Sequence, residues 1–220
     1  MTVLLSAMTV TPLGLGACTT ATNPIQQAGY SIQERLGIEK RDILVDRVGD
    51  VAEAQGEAKE EFEDALSAFR AVVDVNAGDL ESTYDDLSRA YDRAEDRANA
   101  VRSRVKSVRR VARDLFNEWE GELADFSDPT LRRVSEEQLR STKLRYQLLT
   151  DKMDAATASM DPVLTVFNDR VLYLKHNLNA RAIAALDAET ADLEDDVARL
   201  IADMEQSIAA ADAFILEMQG

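Results

Sequence analysis

Leu15-Gly16-Ala17-Cys18 is the stretch whose residue types and order carry the most specific chemistry in this chain. The only cysteine follows small residues that close a short apolar run. A bacterial lipoprotein signal ends this way: the leader is cut before the cysteine, whose thiol then carries lipid. Val3 to Ala17 is apolar or small, with Pro12 and Gly14 breaking any helix, and it falls short of the ~20 residues needed to span a bilayer. No Lys or Arg precedes it, Arg35 being the first basic residue, so a basic leader segment is expected upstream of Met1. Thr19, Thr20, Thr22, Asn23 and Pro24 supply a polar tether, and the non-acidic Thr19 points to the outer membrane. The competing reading is an apolar terminus with an incidental buried cysteine. With Cys18 lipidated, no thiol remains for a disulfide.

The single histidine, His176, stands among Lys175, Asn177, Asn179 and Arg181. Two readings stay open for this cluster: turn chemistry and capping at a helix end, or a tip that binds a partner. Metal chemistry is poorly served, because one histidine without a Glu-x-x-His pair does not build the usual bundle-core di-metal site. Nucleophilic catalysis lacks its parts, since one distant histidine and scattered serines are not a triad. No Gly-rich phosphate loop occurs, and no cofactor is expected. The many carboxylates read as a solvated face, and the chain is expected not to be an enzyme. Net charge is −16, from 41 acidic against 25 basic residues, which argues against nucleic acid as a partner.

These residues need helices to position them. Between Ser31 and Met218 only Pro129 and Pro162 occur, and Ala, Leu, Asp, Glu and Arg dominate. A first helix is expected from about Asp46 to Asp74, with Val48, Val51, Ala58, Phe62, Ala65, Phe69 and Val72 at core spacing and Gln55 the one polar member. The charged segment Lys40–Arg47 ahead of it either packs on the bundle or forms a docking strip. The second helix carries the cleanest repeat. Leu80, Tyr84, Leu87, Tyr91, Ala94, Ala98, Val101, Val105, Val108, Ala112, Leu115 and Trp119 alternate four and three apart, the a and d positions of a coiled coil. Ser127-Asp128-Pro129 ends it, with Asp128 as cap and Pro129 at the first turn of the third helix. That helix runs through Leu139, Tyr146, Met153, Met160 and Phe167, with a kink expected at Pro162. Its phase slips after Leu174, where the chain should reverse, and a fourth helix repeats from Ile183 to Met218. The fold class is therefore all-α, an elongated antiparallel coiled-coil bundle of four long helices.

The register assigns roles to the charges. From Arg97 to Arg113 there are seven basic residues and no acidic one. Arg97, Arg102, Arg104 and Arg109 fall at e or g, flanking the seam, and are expected to face Asp187, Glu189, Glu194, Asp196 and Asp203 on the fourth helix. Lys106, Arg110 and Arg113 fall outward, at b and f. The alternative for this band is binding of anionic lipid head groups or another polyanion. Trp119, at an a position, reads as core.

Several passages together are similar to a known family: Gly37-Ile38-Glu39-Lys40-Arg41-Asp42-Ile43-Leu44-Val45-Asp46-Arg47-Val48, then Gly78-Asp79-Leu80, Glu118-Trp119-Glu120, and Leu172-Tyr173-Leu174-Lys175-His176-Asn177-Leu178-Asn179-Ala180-Arg181-Ala182-Ile183. They resemble an uncharacterised family of proteobacterial proteins catalogued as a domain of unknown function, many with lipoprotein signals. The resemblance implies a helical, envelope-anchored protein and brings no catalytic or cofactor residues with it. The expected organisation is a signal peptide over 1–17, a tether over 18–37 and a helical coiled-coil domain over 38–220. The expected role is a spacer, adaptor or scaffold. It would be held by lipidated Cys18 in the outer membrane facing the periplasm, with an envelope protein as partner and a second copy able to close an unfilled seam.

Overall fold

The computed structural model describes residues 24–74, 80–179, 183, 186 and 190–219, with side chains from 40 onward. Four long helices carry the chain: α1 (Pro24–Val73), α2 (Leu80–Glu122), α3 (Pro129–His176) and α4 (Thr190–Gln219), with a single 3-10 turn, Leu123–Asp125, after α2. The chain divides into two compact units, Met1–Arg35 and Leu36–Gly220. The second is an antiparallel bundle.

The heptads explain the packing. In α2 the seam residues Leu87, Ala94, Ala98, Val101, Val105, Val108, Ala112 and Leu115 are all buried, while Tyr84, Tyr91 and Trp119 lie partly buried at its margins. Phe62 and Phe69 of α1, Phe167 of α3, and Leu200 and Met204 of α4 are sealed from solvent. An aromatic chain crosses three helices at one level. The Phe116 and Tyr146 rings meet edge to face at 5.4 Å, and those of Tyr146 and Phe214 at 6.5 Å. Burial raises the Tyr146 phenol above its ordinary pKa, with Asp154 adding to the shift and Arg109 opposing it.

Ion pairs identify the neighbours. α1 meets α2 through Arg93–Glu61 and Arg97–Glu57, both at 2.8 Å. It meets α4 through Lys59–Glu205 at 3.0 Å and Arg70–Glu194 at 2.6 Å. α3 meets α2 through Arg102–Asp161 and Arg109–Asp154, and meets α4 through Arg145–Glu217 at 2.9 Å. The four helices thus form a ring in chain order, with α2 diagonal to α4.

The α2–α3 connection follows its residue chemistry. Asp128 caps α3, its side chain accepting from the backbone N–H of Thr130 at 2.7 Å and of Leu131 at 3.4 Å, with Pro129 in the first turn. α3 runs uninterrupted through Pro162, whose exposed position turns the missing hydrogen bond toward water.

The start of the first helix differs from the expectation. It begins at Pro24 and not near Asp46, so residues 24–37 of the expected tether are helical. The charged segment Lys40–Arg47 belongs to it and packs on the bundle: Leu44 is fully buried and Lys40 Nζ lies 2.9 Å from Glu118 Oε2 of α2. The first helix is also the longest, at 50 residues, where the sequence made the second and third outlast it.

Candidate functional site

Two surface features of the bundle collect the residues singled out above, and a third emerges only in three dimensions. The first lies where α3 ends. Asn177 closes the helix: its Nδ2 donates to the Tyr173 carbonyl at 3.0 Å and its backbone N–H to the Leu174 carbonyl at 3.1 Å. Asn179 then donates its N–H to the Asn177 carbonyl at 2.8 Å and accepts at its own carbonyl from Ile183 N–H at 3.3 Å. The capping reading therefore holds for Asn177. Lys175 and His176 are exposed in the last turn, where cations offset the partial negative charge of the helix C-terminus. Arg181 lies outside the described residues. Leu172, Tyr173 and Leu178 are exposed around them, a feature the sequence reading did not single out. Its signal was the register itself, which sets Leu172 and Tyr173 at outward f and g positions, with Leu178 falling beyond the phase slip after Leu174.

The second feature is the basic band of α2, which divides by register. Arg97 reaches Glu57 of α1, and Arg104 donates to the Asp50 carbonyl of α1 at 2.9 Å, with Glu53 at 3.9 Å. Arg102 and Arg109 turn the other way, to Asp161 and Asp154 of α3. The expected facing onto the fourth helix is not realised, because the ring sets α2 and α4 across a diagonal. Glu194 instead pairs with Arg70, and Asp196 with Arg199 of its own helix. Asp187 and Glu189 lie outside the described residues. Lys106, Arg110 and Arg113 are exposed, as their b and f positions require. Arg113 approaches its neighbour Asp114 at 3.6 Å. Lys106 and Arg110 have no ion-pair partner among the described residues.

Band and end cluster do not meet. Asp161, opposite Arg102, precedes Lys175 by 14 residues of continuous helix, a separation of ~21 Å at 1.5 Å per residue.

The third feature is an open groove of about 340 Å³ between α1 and α2, which the sequence reading missed. Ala68, Ala71 and Ala90 leave the space, and Asp64, Asp86, Arg89 and Arg93 give it mixed charge. Both arginines are engaged, Arg89 with Asp86 and Arg93 with Glu61. Charges satisfied within the wall leave the groove little to offer an incoming ion.

Among the described residues no group of three His, Cys, Asp or Glu side chains is placed to hold a metal ion, and no helix is long and apolar enough to cross a membrane. Trp119 packs partly buried at the seam margin, its indole N–H donating to Ser135 Oγ at 2.8 Å. Cys18 lies outside the described residues.

Residues 29–218 match the family described as Protein of unknown function (DUF2959). The chain belongs to that family. Among curated proteins nothing matches it. The DUF2959 match takes in all of α2 with its basic band and all of α3 with its end, and all but the first few residues of α1 and the last of α4.

Proposed function

We propose that this DUF2959 protein is a non-enzymatic, lipid-anchored coiled-coil spacer or scaffold of the bacterial envelope. It is held through Cys18, by our reading in the outer membrane facing the periplasm, and engages an envelope protein through the end of α3. The observation that carries the reading is a pairing along one chain. A lipoprotein-like Leu15-Gly16-Ala17-Cys18 precedes a helical bundle whose α3 ends in exposed Leu172, Tyr173 and Leu178 beside exposed Lys175 and His176. Apolar side chains grouped at an exposed end, with cations among them, are what a docking surface requires. Several acyl chains on one cysteine would hold such a bundle far more firmly than one. The test has two arms. Cys18→Ser should move the protein from the membrane fraction to the soluble fraction, and retention in the membrane would remove the anchor. Tyr173→Glu with Lys175→Glu should abolish crosslinking to an envelope partner in cells while leaving fractionation unchanged. An unaltered crosslinking pattern would remove the end of α3 as the docking surface.

A second reading is favoured by one observation: Lys106 and Arg110 stay exposed without ion-pair partners among the described residues in a chain whose net charge is −16. In this reading the outward band of α2, Lys106, Arg110 and Arg113, holds anionic lipid or another polyanion. Changing the three to Glu should abolish cosedimentation with vesicles containing anionic lipid. Unchanged sedimentation would discard the idea.

A further inference from the structure

The outward side of α3 carries an apolar stripe of its own, opposite the seam that fills the bundle. Leu144 and Leu148 fall at adjacent f and c positions of the α3 heptad, with Val134 and Ala158 further out at c and f and Glu137, Ser141, Asp151 and Ala155 between, and all four apolar residues are exposed. Leu144 and Leu148 are 64% and 68% accessible, values that a residue packed on α2 or α4 would not show. Single exposed leucines are ordinary, whereas Leu144 and Leu148, one turn apart at the middle of the outer face, make a small apolar patch of the kind a pairing helix covers.

We infer that this stripe pairs two copies of the chain, α3 against α3, antiparallel, about a twofold axis close to residue 146. The argument is self-complementarity. In an interface between identical surfaces, residue i meets residue j of the other copy and residue j meets residue i. An axis at 146 sets Leu144 against Leu148 of the second copy, and Val134 against Ala158 of the second copy. The same axis sets Ser141 against Asp151 and Glu137 against Ala155, so each c position meets an f position, with apolar contact at the centre and at the outer ends.

The flanking charges single out a second copy as the occupant. In an antiparallel pair the b positions of the two helices lie on the same side of the seam. On α3 they read Arg133 and Arg140 before the axis, then Asp154 and Asp161 after it. Each arginine therefore faces an aspartate of the other copy. Arg140 is exposed and has no ion-pair partner among the described residues. Asp154 and Asp161 reach Arg109 and Arg102 of α2, yet their side chains keep 54% and 71% accessibility, leaving room for a second donor. On the opposite flank Arg145 meets its own mate, its charge already offset by Glu217 at 2.9 Å. An unrelated apolar partner would have no use for a stripe whose charge sequence inverts about its own middle.

This pairing depends on neither the anchor nor the end of α3, and its test leaves both untouched. Sedimentation equilibrium of the full chain, under reducing conditions that silence Cys18, should show a dimer dissociating somewhere in the range ~1–200 µM. Leu144→Glu with Leu148→Glu should give a monomer throughout that range. Arg140→Glu should weaken the dimer ~10-fold by putting like charges opposite Asp154. Both variants alter exposed positions, so their helical circular dichroism and melting should match the parent. A parent that stays monomeric, a dimer that survives the double glutamate change, or an Arg140→Glu dimer of parental strength would each overturn the proposal.

Discussion

Gln55 holds an a position of α1 between Val51 and Ala58, and both its Oε1 and its Nε2 are buried without a hydrogen-bond partner among the described residues. Ser207 repeats the situation on α4, fully buried with its Oγ unpaired. The two belong to one layer, because Gly49 against Ile215 and Lys59 against Glu205 bracket them on the antiparallel pair. A buried polar group without a partner costs ~1–3 kcal/mol, whereas an apolar side chain of similar size costs nothing there. Gln55→Leu should therefore raise the unfolding free energy by ~1–3 kcal/mol, read from the midpoint and slope of urea denaturation. A loss of stability would show that the amide is satisfied after all. Glu122, half-buried at the end of α2, offers a second residue-scale test. Burial raises its carboxyl above the usual range, Glu118 and Asp125 add to the shift, and Lys40 opposes it. A raised folded-state value means that the folded form binds this proton more tightly than the unfolded chain does. The ionised form then weighs against folding at neutral pH, and that penalty fades as pH falls through the raised value toward the ordinary one. Glu122→Gln should be more stable than the parent at pH 7, with the difference closing in acid. Melting curves across that window check it, and a gap independent of pH would refute the assignment.

α2 was the most legible of the helices, because its apolar positions keep a 3.5-residue repeat without a break and neither proline nor glycine interrupts the seam. α1 was legible only in its second half. Between Lys40 and Arg47, Leu44 is the one buried side chain, set among Lys40, Arg41, Asp42, Asp46 and Arg47. What holds that stretch against the bundle is the Lys40–Glu118 pair and the burial of Leu44, and both depend on where α2 ends. α3 was legible through its proline as well, since Pro162 was expected inside the helix and not at its end, and the helix continues through it. A proline inside a helix removes the N–H that would bond four residues back and crowds that turn, at a cost of ~3 kcal/mol. At Pro162 the carbonyl left over is that of Ala158, on the exposed side of α3. Pro162→Ala should restore the bond and stabilise the bundle by ~1–3 kcal/mol in thermal or urea unfolding. An unchanged or lowered stability would mean that the proline costs nothing at this exposed position.

At the scale of the bundle, apolar periodicity made four antiparallel helices legible, but charge alone did not make the ring order so. Arg97, Arg102, Arg104 and Arg109 flank the α2 seam on both sides, and every other helix offers acidic residues at matching positions. Only the observed pairs with Glu57, Asp50, Asp161 and Asp154 choose between the orders. These pairs are largely exposed, and each is worth at most ~1 kcal/mol, so they select neighbours more than they hold the bundle together. The response to salt follows from setting them against the rest of the charge. Screening weakens the cross-helix pairs, which lowers stability, and it weakens the mutual repulsion of the excess acids, which raises it. With 41 acidic residues against 25 basic ones, the repulsion acts among all the unpaired carboxylates at once, while each pair contributes a little and locally. Repulsion between separated surface charges reaches across a Debye length of ~30 Å at 0.01 M salt and only ~8 Å at 0.15 M. The repulsive part should therefore dominate, and the melting temperature should rise on going from ~0.01 M to ~0.15 M sodium chloride. The double change of Glu60 and Glu63 to Gln, both on the outer face of α1, should shrink that rise by removing part of the repulsion. A melting temperature that falls with added salt would show that the ion pairs around the ring outweigh the excess charge, and so that they hold the bundle rather than merely order it.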